Sequence, residues 1–164
     1  MKFKFDAGTS IGELKTKNTY YISIVENGVL VGLGEAAPLE GLSSDDPMHI
    51  KEKLDNSCKH LEELLNTNQK GESILSFISE DFPALRFGFE MALKDYYVGG
   101  ERIYFDSAFV KGTQSIPING LIWMSDKADM LRQIKEKLKA GHNCIKLKIG
   151  AIDFDEECNL LPYL

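Results

Sequence analysis

The passage that most limits how this chain can fold lies between residues 111 and 164. Ile116-Pro-Ile-Asn-Gly-Leu-Ile-Trp-Met124 is a continuous apolar run that predicts a buried strand. Ser125 is placed to cap a following helix whose inner face would be Ala128, Leu131, Ile134 and Leu138, and Gly141 ends it. Residues 144–149 predict a second strand, and another helix opens near Asp153 with acids in its first turn. Strand, helix, strand, helix means parallel strands joined by right-handed crossovers. Two such strands cannot close a barrel, nor make a sheet covered on both faces. Leu160-Leu161-Pro162-Tyr163-Leu164 adds no strand after the last helix. The passage reads as the opening of a larger α/β domain.

Residues 1–110 have a different texture. Residues 19–25 are β-branched and aromatic, residues 29–33 answer them, and Asn27-Gly28 between them suits a type I′ turn, whose two central residues need positive φ. A helix is expected over 45–66, capped by Ser43 or Ser44, with Asp45 and Asp46 complementing its dipole and Pro47 in its first turn. Its apolar stripe would be Ile50, Leu54, Cys58, Leu61 and Leu65. A second helix over 83–97 stops at Gly99-Gly100, with a stripe of Leu85, Phe89, Ala92 and Tyr96. Gly88 beside that stripe lets a neighbouring backbone come close. The expected organisation is therefore an α+β domain over 1–110, followed by an α/β portion over 111–164.

Composition narrows the class. Of 164 residues 43% are hydrophobic and 27% charged, too apolar and too balanced for a disordered chain. A net charge of −6 with no basic stripe argues against nucleic acid as a partner. No apolar run approaches the roughly 20 residues that span a bilayer, and Met1-Lys2-Phe3-Lys4-Phe5-Asp6 lacks a signal peptide's apolar stretch. Cys58, Cys144 and Cys158 are far apart, without disulfide or zinc spacing. The expectation is a soluble, cytoplasmic protein without membrane or nucleic-acid partners.

Two apparent motifs dissolve on inspection. Gly32-Leu-Gly34-Glu-Ala-Ala37 matches G-x-G-x-x-A, but a dinucleotide site needs a helix to open there, and Pro38 with Leu39-Glu40-Gly41 continues as loop. The glycines are better explained by close packing. His49, His60 and His142 match no catalytic or metal spacing, and His142 precedes its strand, away from the carboxyl end where parallel α/β sheets bind ligands.

Cys144-Ile-Lys146-Leu-Lys148-Ile-Gly150 is more informative. Alternation sends Ile145, Leu147 and Ile149 to one face and Lys146 and Lys148 to the other. For an isolated strand the ordinary explanation is two lysines in water. A parallel strand flanked by helices is instead covered on both faces, so the lysines would point inward, near the strand end where barrel active sites form. Side by side and partly desolvated, each would disfavour the other's charge, the way a lysine becomes a general base.

At this point four passages resemble the enolase superfamily, in its muconate-lactonizing branch, and within it the o-succinylbenzoate synthase family. They are Gly34-Glu-Ala-Ala-Pro38 with Leu39 and Gly41-Leu42-Ser43, Arg86-Phe-Gly-Phe-Glu-Met-Ala-Leu-Lys-Asp95, Ile116-Pro-Ile-Asn-Gly-Leu-Ile122, and the Lys146-Leu-Lys148 strand. In this order they cover nearly the whole chain. The resemblance implies an N-terminal capping domain (1–110) and the first two βα units of an incomplete TIM-type (β/α) barrel (111–164). It implies Lys148 as the acid/base residue and Lys146 as its electrostatic helper. The capping loops Gly8-Thr-Ser-Ile-Gly12 and Leu39-Glu-Gly-Leu-Ser43 would shape the substrate pocket through Ser10, Ile11, Gly41, Leu42 and Ser43, with Asn119 from the first barrel strand. Ile11 stands where the family pattern suggests arginine.

The implied chemistry is removal of an α-proton from a small carboxylate substrate, then loss of water, on the route to menaquinone. Mg²⁺ assists in the complete enzyme, but its ligands belong to later barrel strands, so none is expected to bind this chain specifically. A homo-oligomer is compatible with the family. Two alternatives stay open: a dipeptide epimerase or N-acylamino acid racemase on the same scaffold, and an inactive truncated fragment with no complete site.

Overall fold

The computed structural model describes residues 1–9, 12–150 and 152–163. The chain divides into two compact units, residues 1–4 with 15–111, and residues 5–14 with 112–164. Strands β1 (Lys2–Thr9) and β2 (Gly12–Thr16) pair with each other, a sheet that the sequence reading missed. At its base the Met1 ammonium donates to the Lys17 carbonyl at 2.7 Å, and the Lys17 amide returns a bond to Met1.

In the first unit, β3 (Tyr20–Glu26) and β4 (Val29–Ala36) form the expected antiparallel hairpin. Asn27 and Gly28 take φ of 50° and 79°, the left-handed pair that the turn requires. Ile22 and Ile24 of β3 and Gly32, Gly34 and Ala36 of β4 turn one face inward. Helix α1 (Ile50–Asn66) is followed by a 3₁₀ turn (Gly71–Ser73), the short α2 (Ile74–Phe77), and α3 (Pro83–Tyr97). Leu85, Phe89 and Ala92 of α3 are fully buried with Ile22, Ile74 and Ile78 in one core, and Tyr96 packs at its margin.

The glycine pattern is a packing device. A Cβ on Gly34 would stand 1.9 Å from the Gly88 carbonyl oxygen of α3, and one on Gly32 would stand 2.6 Å from that of Ala92. Gly88 in turn has Ile22 Cδ1 at 2.7 Å from where its Cβ would lie. Strand and helix backbones therefore touch, which only residues without side chains allow.

Helix α1 departs from expectation at both its start and its face. It begins at Ile50, without a side-chain cap from Ser43 or Ser44. Asp45 is buried and accepts instead from the Ala84 and Leu85 amides at 3.1–3.2 Å, capping α3. The buried face of α1 is Ile50, Ser57, Leu61 and Leu64, while Cys58 is exposed and Leu54 and Leu65 are only half-buried. Its core neighbours lie on that side of the helix, and the amphipathic pattern tolerated a rotation of about one position. Asp95, also fully buried, accepts from the Leu33 amide of β4 at 3.0 Å and from the Arg102 amide at 2.7 Å.

In the second unit, β5 (Gly120–Ile122) and β6 (Ile145–Leu147) are parallel, with Gly120 opposite Ile145, Leu121 opposite Lys146 and Ile122 opposite Leu147. Between them runs α4 (Lys127–Lys139), and α5 (Phe154–Cys158) follows. The strand expected over 116–124 is shorter: Ile116 and Ile118 are exposed, Pro117 has no amide to donate, and β6 is the one strand paired with β5 among the described residues. The cap of α4 is Asp126, accepting from the Asp129 amide, rather than Ser125. Met130 and Ile134 are its buried residues, whereas Ala128 and Leu138 are exposed. They pack with Ile122 and Leu160, and Leu131, Ile145, Leu147 and Ile152 close the margin. Asp153 caps α5, near the expected position.

Candidate active site on the parallel strand pair

Ile122 and Gly120 of β5 lie against α4, Ile122 beside Met130 and Ile134, and Gly120 so close that its Cβ would stand 3.0 Å from Lys137 Cβ. Alternation then turns Leu121 away from the helix, together with its cross-strand partner Lys146. One step further along, Trp123 and Lys148 meet on the same face. The Lys148 amide donates to the Ile122 carbonyl at 3.2 Å, and its ammonium nitrogen stands 4.0 Å from the Trp123 ring centroid. Lys148 is half-buried and Lys146 exposed. Ile149 does not join the aliphatic face: β6 has ended, alternation no longer holds, and the side chain is exposed.

Both strands are held at their carboxyl ends. Gln133 of α4 accepts from the Trp123 amide at 2.8 Å and donates to the Trp123 carbonyl at 3.3 Å. The same side-chain amide donates to Asp129 at 2.8 Å. Arg132 also bonds Asp129, and these two donors hold its carboxyl below the usual aspartate range. Beyond Lys148, Gly150 has φ of 99°, and its amide donates to the buried Glu157 carboxylate at 2.5 Å. The sequence reading named neither Trp123 nor Glu157 as site residues. The available signal was that Trp123, the one tryptophan of the chain, shares the parity of Leu121 and immediately follows the strand.

The other named residues lie elsewhere. Asn119 precedes β5 and is exposed. In the first unit the Leu39 carbonyl accepts from the Leu42 and Ser43 amides, Ser43 Oγ accepts from the Leu39 amide, and Gly41 has φ of 75°. This self-bonded turn leaves Leu42 exposed. Ser10 and Ile11 lie outside the described residues. His142 precedes β6, packed beside Gly120, and His49 is exposed and bonded to Asp46. Among the described residues no group of three or more His, Cys, Asp or Glu side chains is placed to hold a metal ion, so the implied Mg²⁺ finds no ligand set there. None of the described helices is long and apolar enough to cross a membrane.

Chemically, the arrangement offers two primary amines on one face of a parallel strand pair, the inner one held against an aromatic ring. Such a pair can attract a carboxylate and exchange a proton with a carbon beside it.

No protein-family model matches the sequence. A curated o-succinylbenzoate synthase from Desulfotalea psychrophila is 43% identical, aligned over 97% of this chain and 50% of its own length. The crystal structure of MenC from the same organism superposes with a TM-score of 0.68 at 36% identity, over 92% of this chain and 48% of that one. The chain spans about half the length of each of these proteins. By sequence and by fold alike, the chain is similar to about half of an o-succinylbenzoate synthase.

Proposed function

We propose that this chain is the N-terminal part of an o-succinylbenzoate synthase-like enzyme of the enolase superfamily, a lyase that abstracts an α-proton and expels water. In this reading residues 1–110 are its capping domain, and residues 111–164 begin its barrel. Lys148 takes the proton from the carbon beside the substrate carboxylate, and the Lys146 ammonium offsets the negative charge that develops on the enolate. In the complete enzyme Mg²⁺ supplies further stabilisation of that charge. The family resemblance adds substrate-binding roles for Ser10, Ile11, Gly41, Leu42, Ser43 and Asn119. The observation that carries the reading is that Lys146 lies opposite Leu121, away from the core that Ile145 and Leu147 pack against, while Lys148 just beyond it stands over Trp123.

The test substitutes this chain for the matching half of the D. psychrophila enzyme and follows deuterium exchange at the substrate α-carbon. Lys148→Ala should lower exchange by about 10²–10⁴-fold, as loss of a positioned base does. Lys146→Ala should lower it less. Near-parental exchange in an active chimera carrying Lys148→Ala would refute the assignment.

A further inference from the structure

We infer that Trp123 is a positioning residue for Lys148, selecting which of the two strand lysines is held at the carboxyl end of the pair, and that Gln133 fixes Trp123 in turn. The inference rests on the reading of Lys148 as the base. Two independent observations carry it. The Lys148 ammonium nitrogen lies 4.0 Å from the centroid of the Trp123 ring, within the range where the ring's negative face attracts a cation. Separately, Gln133 bonds both the amide and the carbonyl of Trp123, satisfying two backbone groups just past the end of β5. Gln133 is itself tied to Asp129, so α4, β5 and the lysine form one chain of contacts.

The consequence is asymmetry between two chemically identical amines. Lys146 lies opposite Leu121, an aliphatic side chain that offers no attraction to a cation, and it is exposed. Lys148 has an aromatic wall on one side, which limits the rotamers open to a long side chain and leaves its nitrogen a confined approach to substrate. A group so confined loses less entropy on reaching the reactive geometry. Without the ring, the four-carbon stem would sweep the same range as that of Lys146.

The test uses residue-resolved acylation of lysines in this chain, read by mass spectrometry. Trp123→Leu should raise the labelling rate of Lys148 by about two- to fivefold, the strength of such a contact at a partly exposed site. Lys146 should be unaffected, and Trp123→Phe should restore most of the protection. Gln133→Leu, which keeps the ring and removes both bonds to its backbone, should move Lys148 in the same direction by a smaller factor, and it carries the test if Trp123→Leu does not fold. In the chimera with the D. psychrophila enzyme, Trp123→Leu should lower kcat by about tenfold with KM little changed, because positioning rather than binding is lost. Unchanged Lys148 labelling and unchanged kcat in Trp123→Leu would overturn the inference, as would an equal rise at Lys146 in a folded variant. Failure of the base assignment has a different signature: α-proton exchange persisting in Lys148→Ala.

Discussion

Replacing Gly34 by alanine sets two effects of opposite sign against each other, and the structure decides between them. Gly34 does not lie in the left-handed region, so alanine can adopt its backbone, and the reduced freedom of the unfolded chain should stabilise by about 0.4–1 kcal/mol. Against this, the new methyl would stand 1.9 Å from the Gly88 carbonyl oxygen and 2.8 Å from the Ala92 amide nitrogen. Both are backbone atoms inside α3, so no rotamer change relieves the clash, and the strand and helix must separate. Overpacking typically costs about 1–3 kcal/mol, and a rigid backbone neighbour puts this case at the upper end. The net destabilisation should be about 2–3 kcal/mol. For a unit of about 100 residues that lowers Tm by roughly 10–20 °C. Thermal unfolding followed by far-UV circular dichroism, with urea titration checking that the m-value is unchanged, measures it directly. A Gly34→Ala variant as stable as the parent, or more so, would refute the claim that β4 and α3 meet backbone to backbone.

Asp45→Ala should destabilise the first unit by about 2 kcal/mol in urea titration, because it strips the acceptor from the Ala84 and Leu85 amides at the start of α3. Asp45→Asn, which keeps an acceptor oxygen, should cost less. The exposed His49–Asp46 pair should be visible by NMR: the Asp46 hydrogen bond raises His49 above the ordinary value of 6.5, and the His49 bond lowers Asp46 below 3.8. Any stabilisation from the pair is therefore present between these limits. It is lost as pH rises through the folded His49 value or falls through that of Asp46. Asp46→Asn should bring the His49 midpoint down, and an unmoved midpoint would show that the pair does not form in solution.

Local chemistry made several features readable from the chain alone. Asn27-Gly28 fixes the β3–β4 turn because positive φ is a property of those two residues. Pro83 and Gly99-Gly100 bracket α3 for similarly local reasons, and Gly141, with φ of 88°, marks the end of α4. The opposite faces of Ile145 and Leu147 and of Lys146 followed from strand alternation, and the parallel pairing followed from the crossover helix.

Apart from the β1–β2 pairing, what escaped the sequence reading depended on partners distant in the chain. Asp45 looked like the first turn of its own helix until α3 claimed its carboxylate, some 40 residues on. An amphipathic stripe defines a face only to within about one residue, so the core had to select Ser57 and Leu64 over Cys58 and Leu65. The apolar run at 116–124 gave no sign that only Gly120–Ile122 would pair, because strand length is set by the neighbours a strand finds. Lys148 could be assigned a face from its parity alone. Its seat on Trp123, and the grip of Gln133 on that ring's backbone, needed the register of β5 against β6 and the packing of α4 on β5. Sequence determined the β3–β4 turn, the bounds of α3 and the parallel pairing of β5 with β6, because these follow from single residues and short-range patterns. Only the tertiary structure decided which carboxylate caps which helix and which lysine is held, because those contacts join groups that no local pattern relates.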